Sequence, residues 1–371
     1  MAAIAPAEVF PPGDFLREEL EARGWSQVEF AEILGRPLKL VNEIIVGKKR
    51  ITPETAKELG AALGTSAELW LNLEVAYRLR HSEPPAPRIA RRARLRSRCP
   101  LREMINRGWI EDSQNVEVLE AQVLRFFGTK SLEERAPLAY AAKQSRYDGE
   151  LTAAQEAWLF RVKRVAEGLP SVPYSERGLR DALPKLRALL GEPEEIRHVP
   201  RILAEVGVKY VVVERFPSSG IDGVCLWVDD DRTPVIGMSL RFDRIDNFWF
   251  VLRHEIEHVL RCDGTILDSN LDEAQEDLPE HERIANEAAA EFCVPAADMD
   301  DFVARVGPLY SDERIKGFAL NIGVHPGLVA GQLRRRLNRW DLFGKHLVKI
   351  RHIITQTAVT DGFGNALQVA V

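Results

Sequence analysis

Apolar residues recur every three or four positions through the first eighty residues, in short bursts cut by glycine. Phe15, Leu16, Leu20 and Trp25 set a helical period that Gly24 ends. Val28, Phe30, Ala31, Ile33 and Leu34 form a second burst behind Ser26, with Glu29 at capping-box spacing. Gly35 closes that helix. Arg36-Pro37 opens a third, which carries Leu40, Val41, Ile44 and Ile45 up to Gly47. Thr52-Pro53-Glu54 starts a fourth helix and Thr65-Ser66 a fifth, anchored by Trp70 and Leu71. The pattern predicts an all-α unit over residues 12–82. Its second and third helices, joined by a tight glycine turn, make a helix-turn-helix.

Residues 83–100 break the pattern and read as a linker. Pro84, Pro85 and Pro87 form a stiff spacer, followed by Arg88, Arg91, Arg92, Arg94, Arg96 and Arg98. Two accounts of the arginines stay open: a clamp on DNA phosphates, or a solvated helical face packed against acidic segments. Residues 101–170 carry two amphipathic stripes, one through Val116, Leu119, Val123 and Phe126–Phe127, the other through Ala157, Trp158, Phe160 and Val165. They predict a helical connecting region. Further on, helical residues 179–190 and 196–205 precede three β-rich runs at 208–213, 223–228 and 234–238. Turns fall at 218–220 and 229–231. Residues 171–340 are thus expected to be an α+β domain with a small antiparallel sheet, in a multidomain and mainly α chain. The tail, 341–371, has β-prone runs around residues 361–365, expected to form a hairpin or to swap onto a second copy as a homodimer.

Composition narrows the class. At 371 residues the chain exceeds one core, and 45% hydrophobic with 29% charged residues describes an ordinary globular protein. No apolar run has membrane-spanning length and the N-terminus lacks a signal-peptide pattern, so a cytoplasmic protein without membrane contact is expected. Cys99, Cys225, Cys262 and Cys293 are scattered, with no CxxC spacing, which argues against a disulfide framework or a thiolate zinc site. A net charge of −6 leaves room for only a local nucleic-acid contact.

The sharpest chemistry lies in residues 250–260, an apolar run without Gly or Pro that contains His254-Glu255-Ile256-Glu257-His258. On a helix, the two histidines sit one turn apart on one face and can grip one metal ion, with Glu255 beside them as general base. With 8 histidines and 56 acidic residues in the chain, chance yields on the order of 0.03 such matches. Zn2+ suits this donor set, and Mn2+ or Fe2+ fit the same ligands. A third ligand must come from downstream. The position six beyond His258, where a metzincin has histidine, is Gly264. Glu282 is the candidate, because it opens a helix with Ala285, Asn286 and Ala289 on its face; His281 is the rival. Asn286, one turn past Glu282, resembles the gluzincin arrangement in which a later side chain orients a ligating histidine. The acidic run at 268–280 reads as solvated loop charge. Arg253, Glu257 and Arg261 read as a charged stripe on a solvated face away from the metal.

Two resemblances follow from these residues. Residues 12–16, 26–35, 41–44 and 47–56, with Trp70-Leu71-Asn72-Leu73, resemble the HigA-type antitoxin DNA-binding domain. That implies an operator partner, with the third helix in the major groove. Arg36, Lys39 and Asn42 would be its groove-side residues, and Gln27, Lys48, Lys49 and Arg50 would reach phosphates. A dimerisation or partner-binding module stays open, because Pro37-Leu38 is poor base-reading chemistry.

Residues 175–340 resemble the ImmA/IrrE metallopeptidases through Asp222-Gly223, Pro234-Val235-Ile236, Arg241-Phe242-Asp243, Phe248-Trp249-Phe250, the His-Glu-x-x-His motif and Glu282-x-x-Ala285-Asn286. This implies a zincin-like (gluzincin) endopeptidase that cuts a repressor or antitoxin-like protein. His254, His258 and Glu282 would hold zinc, and Glu255 would move the proton from water to the leaving amine. His325 and Tyr310 are the candidates for stabilising the transition state. Glu257 and Cys293 depart from the family pattern. The alternative is a non-proteolytic HigA-like antitoxin or transcription factor whose metal domain is a sensor or a relic.

Overall fold

The computed structural model describes residues 9–134, 151–217, 219–269, 278–365 and 367. Expectations for the loose start, part of the connecting region, one residue of the 218–220 turn, most of the acidic run and the end of the tail lie outside these residues. The chain divides into two compact units, Met1–Pro87 and Arg88–Val371. Among the described residues no helix is long and apolar enough to cross a membrane.

The first unit holds α1 (Pro12–Arg23), α2 (Gln27–Leu34), α3 (Leu38–Ile45), α4 (Pro53–Leu63) and α5 (Ala67–His81). Local chemistry sets these boundaries. Ser26 Oγ accepts from the Glu29 N–H at 3.2 Å while the Glu29 carboxylate accepts from the Ser26 N–H at 2.7 Å, the reciprocal box that starts α2. Thr52 and Ser66 cap α4 and α5 one way only, each hydroxyl accepting from the N–H three residues on, of Thr55 and Leu69. Gly35 takes a left-handed φ of 62° and ends α2, its N–H bonding back to the Ala31 and Glu32 carbonyls. Leu16, Leu20, Phe30, Val41, Ile44, Leu59 and Trp70 fill one small core.

The second unit opens with α6 (Pro87–Arg98), α7 (Leu101–Asn106), α8 (Val116–Phe127) and α9 (Ala153–Glu167). Next come α10 (Glu176–Arg187), α11 (Val199–Glu205), β1 (Lys209–Val213), β2 (Ile221–Val228), β3 (Thr233–Met238) and α12 (Ile245–Arg261). It finishes with β4 (Ile266–Ser269), α13 (Glu280–Cys293), α14 (Ala296–Val306), α15 (Asp312–Asn321), α16 (Pro326–Leu337), α17 (Arg351–Ile354) and β5 (Val359–Asp361).

The sheet corrects the antiparallel expectation. It is mixed, in the order β4-β2-β3-β1-β5. The β2–β3 hairpin is antiparallel, but β1 runs parallel to both β3 and β5. The order is non-local: β2 follows β1 in the chain yet lies beyond β3. Its strands are buried on both faces. Tyr210, Val212, Cys225, Ile236 and Met238 join one core with α10, α11 and α12. Val211, Val213, Val224, Leu226 and Val235 face the opposite way, into a core with α8 and α9. The helices expected to be a connecting region are therefore one layer of the second unit. Their aromatics, Trp109, Phe126, Phe127, Trp158 and Phe160, are core.

The arginine-rich segment is helical from Pro87 and packs against acids. Arg91 meets Glu117 at 2.9 Å, Arg94 meets Glu133 at 3.4 Å, and Arg98 makes a two-pronged pair with Glu156 while lying over Phe127. The tail is likewise structural. Residues 359–361 pair with Val211, Val212 and Val213 of the same chain, and the expected hairpin shrinks to one bridge between Gly362 and Asn365. Arg161 of α9 pairs with Asp361 in a fully buried contact and also donates to the Leu367 carbonyl. Removing one member of such a pair strands the other. Asp361→Ala is expected to lower the unfolding free energy by about 3–5 kcal/mol in urea denaturation; a loss below roughly 1 kcal/mol would show that this edge does not depend on the pair.

Candidate metal centre and nucleic-acid face

The candidate metal centre is assembled around α12. Trp249, Leu252, Ile256 and Val259 bury its inner side, which fixes the rotation of the helix and turns His254, Glu255 and His258 inward. All three are fully buried. The helix ends where Cys262 adopts a left-handed φ of 54°, and the chain folds back at once. That turn brings the Asp263 carboxylate 3.0 Å from His258 Nδ1 and leads into β4, whose Asp268 pairs in register with Gly223 of β2. The β2–β4 ladder shifts register between Ile221 and Gly223, a bulge beside the site. A Cβ at Gly223 would overlap Glu255 Oε1, so glycine here lets the carboxyl group lie where it does. On the other side, fully buried Ala285 and Ala289 let α13 approach α12 closely and bring Glu282 over the histidines.

Four side chains converge. His254 Nε2 and His258 Nε2 are 3.0 Å apart. Glu282 lies 3.3 Å from the first and 3.6 Å from the second, while Asp268 lies 3.4 and 4.0 Å from them. One donor atom from each residue falls within 4.8 Å of all the others. Two imidazole nitrogens and two carboxylates in a buried pocket fit a divalent cation of the Zn2+, Mn2+ or Fe2+ kind. Asp268 Oδ2 faces the two histidines and the Glu255 carboxyl group.

The electrostatics agree. Burial disfavours charge on His254, but Asp268 and Glu282 outweigh it and push its pKa up to about 9. Burial also opposes ionisation of Asp268, yet the two histidines hold it below the ordinary carboxylate range. Glu255 goes the other way. Burial first, then the neighbouring Asp268 charge, raise its pKa well above that of a free glutamate.

Asp263 and Asp268 were not read from the sequence as site residues. Asp263 takes the orienting role expected of Asn286: it fixes the ring of His258 so that Nε2 faces the cluster. Asn286 instead lines a groove of about 900 Å3 with Phe250, Gln332 and Trp340, and its Oδ1 has no hydrogen-bond partner. Asp268 falls in the run expected to be solvated, but it is buried on a strand. An acid following the apolar pair Ile266-Leu267 was the available signal. His281 stays outside the cluster, 3.3 Å from Glu282.

The charged stripe on α12 is not a solvated face. Arg253 is buried against Phe292 and holds Glu257 at 2.8 Å, whereas Arg261 turns to Asp263. The expected stabilisers have structural roles. His325 caps α16, its Nδ1 accepting from the Gly327 N–H at 3.0 Å, and Tyr310 packs against Phe302 and Phe343.

In the first unit, α3 buries Val41, Ile44 and Ile45 and leaves Lys39 and Asn42 exposed, Lys39 with 83% of its side-chain surface. Asn42 Nδ2 reaches Gln27 Oε1 at 3.4 Å, and Lys48, Lys49 and Arg50 stand exposed in the turn after α3. Arg36 does not join this face freely, because it is tied to Glu58 of α4 at 2.6 Å.

The Helix-turn-helix family profile matches residues 16–70. Over 72 residues the chain is 35% identical to the uncharacterized HTH-type transcriptional regulator YddM of Escherichia coli, a match covering 19% of this chain and 77% of that protein. Through its first unit, the chain belongs to the helix-turn-helix family. The helix-turn-helix unit is also 38% identical over 73 residues to virulence-associated protein I of Dichelobacter nodosus, covering 19% of this chain and 68% of that one. Among solved structures, an addiction module antidote protein of a HigA family from Coxiella burnetii is 32% identical, covering 20% of this chain and 96% of that one at a TM-score of 0.18.

The Asp263–His258 contact yields a direct expectation. Asp263→Ala releases the His258 ring and should weaken zinc binding by roughly 10–100-fold in a chelator competition titration. Unchanged affinity would mean that packing alone orients the ring.

Proposed function

We propose that this helix-turn-helix protein is a transcription regulator whose second unit is a zinc-dependent endopeptidase acting on a repressor or antitoxin-like protein. The observation that carries the reading is Glu255. It is a fully buried carboxyl group with the Asp268 carboxylate as its neighbour, next in sequence to His254 and packed against a glycine that makes room for it. A purely structural metal site has no need of such a group. Bound at His254, His258 and Glu282, zinc would supply Lewis acidity to a water molecule and to the scissile carbonyl.

The chain's own residues do the rest. Glu255 takes the proton from water and returns it to the leaving amine. Asp263 keeps His258 Nε2 turned inward. The resemblance of residues 175–340 to ImmA/IrrE peptidases supports the same reaction class. The relative named above as a transcriptional regulator supports an operator DNA partner for Lys39, Asn42 and the basic turn after α3.

A second reading has one observation in its favour: the relatives described match only the first unit. On that reading the chain is an antitoxin-like DNA-binding protein that does not cut.

Profiling the full chain against a proteome-derived peptide library separates the two. The wild type should cut and Glu255→Gln should lose roughly 10²–10⁴-fold in rate while keeping metal and fold. Equal cutting by both would sink the role of Glu255, and no cutting by either would favour the second reading. For the first unit, the Lys39→Ala, Asn42→Ala double variant should bind a selected operator at least about tenfold more weakly. Undiminished binding would remove α3 from the interface.

A further inference from the structure

We propose that Asp268 is a fourth protein ligand of the metal, so that the centre rests closed and opens only when β4 withdraws this carboxylate. The inference builds on the metal reading of the site. Its basis is that two carboxylates, not one, flank the same pair of imidazole nitrogens. Asp268 Oδ2 stands 3.4 Å from His254 Nε2, against 3.3 Å for Glu282 Oε2. Asp268 is 4% exposed. Among the described residues its ion-pair partners are the two histidines, which must be neutral to hold a metal. With neutral imidazoles, the proton of the neighbouring Glu255 carboxyl and a cation at the cluster are what compensate this buried carboxylate.

Four protein donors complete a zinc centre and leave no place for water; three leave one open. The cluster therefore joins two features that usually exclude each other, a closed ligand set and a buried carboxyl group in Glu255 beside it. A resting state that must be opened accounts for both. Its position in the fold makes Asp268 the ligand able to leave. His254 and His258 are locked on a fully packed helix and Glu282 on α13, which packs along it. Asp268 instead sits on a four-residue edge strand that, among the described residues, pairs with β2 alone, across a register break. Edge strands are where a sheet can exchange one partner for another.

The test uses cobalt(II) added to the metal-free full chain, because its visible absorption reports the ligand set. The wild type should take up about one cobalt per chain and give a spectrum that azide does not change. Asp268→Ala and the isosteric Asp268→Asn should bind cobalt at least about tenfold more weakly, with an altered spectrum that shifts on adding azide. Circular dichroism melts confirm that both variants fold. A wild-type spectrum as azide-sensitive as those of the variants, or unchanged cobalt affinity in both variants, would overturn the closure and leave the metal site standing. A wild-type chain that takes up neither cobalt nor zinc would overturn the metal reading itself, and the closure with it.

Discussion

Three carboxylates and two imidazoles share one dry pocket along α12, and the surrounding structure is arranged to make that tolerable. Buried like charges repel and lose hydration, so they persist only where cations or shared protons compensate. Asp268 and Glu282 are balanced by the histidine pair, or by a metal in its place. Glu255 is held back from ionising by the same burial. Asp263, at the rim, fixes the orientation of one ring. No single residue defines the centre.

That pocket requires a rigid frame, and the three-layer second unit supplies it. The strands are buried on both faces, with alternate side chains entering separate cores. The outer layer of α8 and α9 and the tail strand β5 close the sheet on the sides away from the site. Arg161 and Asp361 join these two late-meeting pieces, far apart in sequence. With that sheet in place, β2 presents Gly223 to Glu255 and Asp268 at a single register position.

The first unit follows different rules. Its boundaries come from capping side chains and left-handed glycines a few residues apart, so they could be read almost directly from the chain. Ser26 with Glu29, Thr52, Ser66 and Gly35 all act within one helical turn. Its exposed basic residues owe their position to the burial of Val41, Ile44 and Ile45 beneath them. Arg36 is the exception, because its partner Glu58 lies on another helix.

What the sequence by itself determined was everything that depends on short spacing. The helix-turn-helix and its caps, the i, i+4 histidines with Glu255 between them, and the approach of α13 through Ala285 and Ala289 are all periodic or local features. Tertiary structure alone decided the rest. The parallel pairing of β1 with β3 and β5, the burial of Arg253, and the convergence of Asp263 and Asp268 on the histidines depend on which distant segments meet. An acidic residue looks the same in a sequence whether water or an imidazole faces it. Only the packed chain, by excluding water from one side chain and not from the next, separates a ligand from a surface charge.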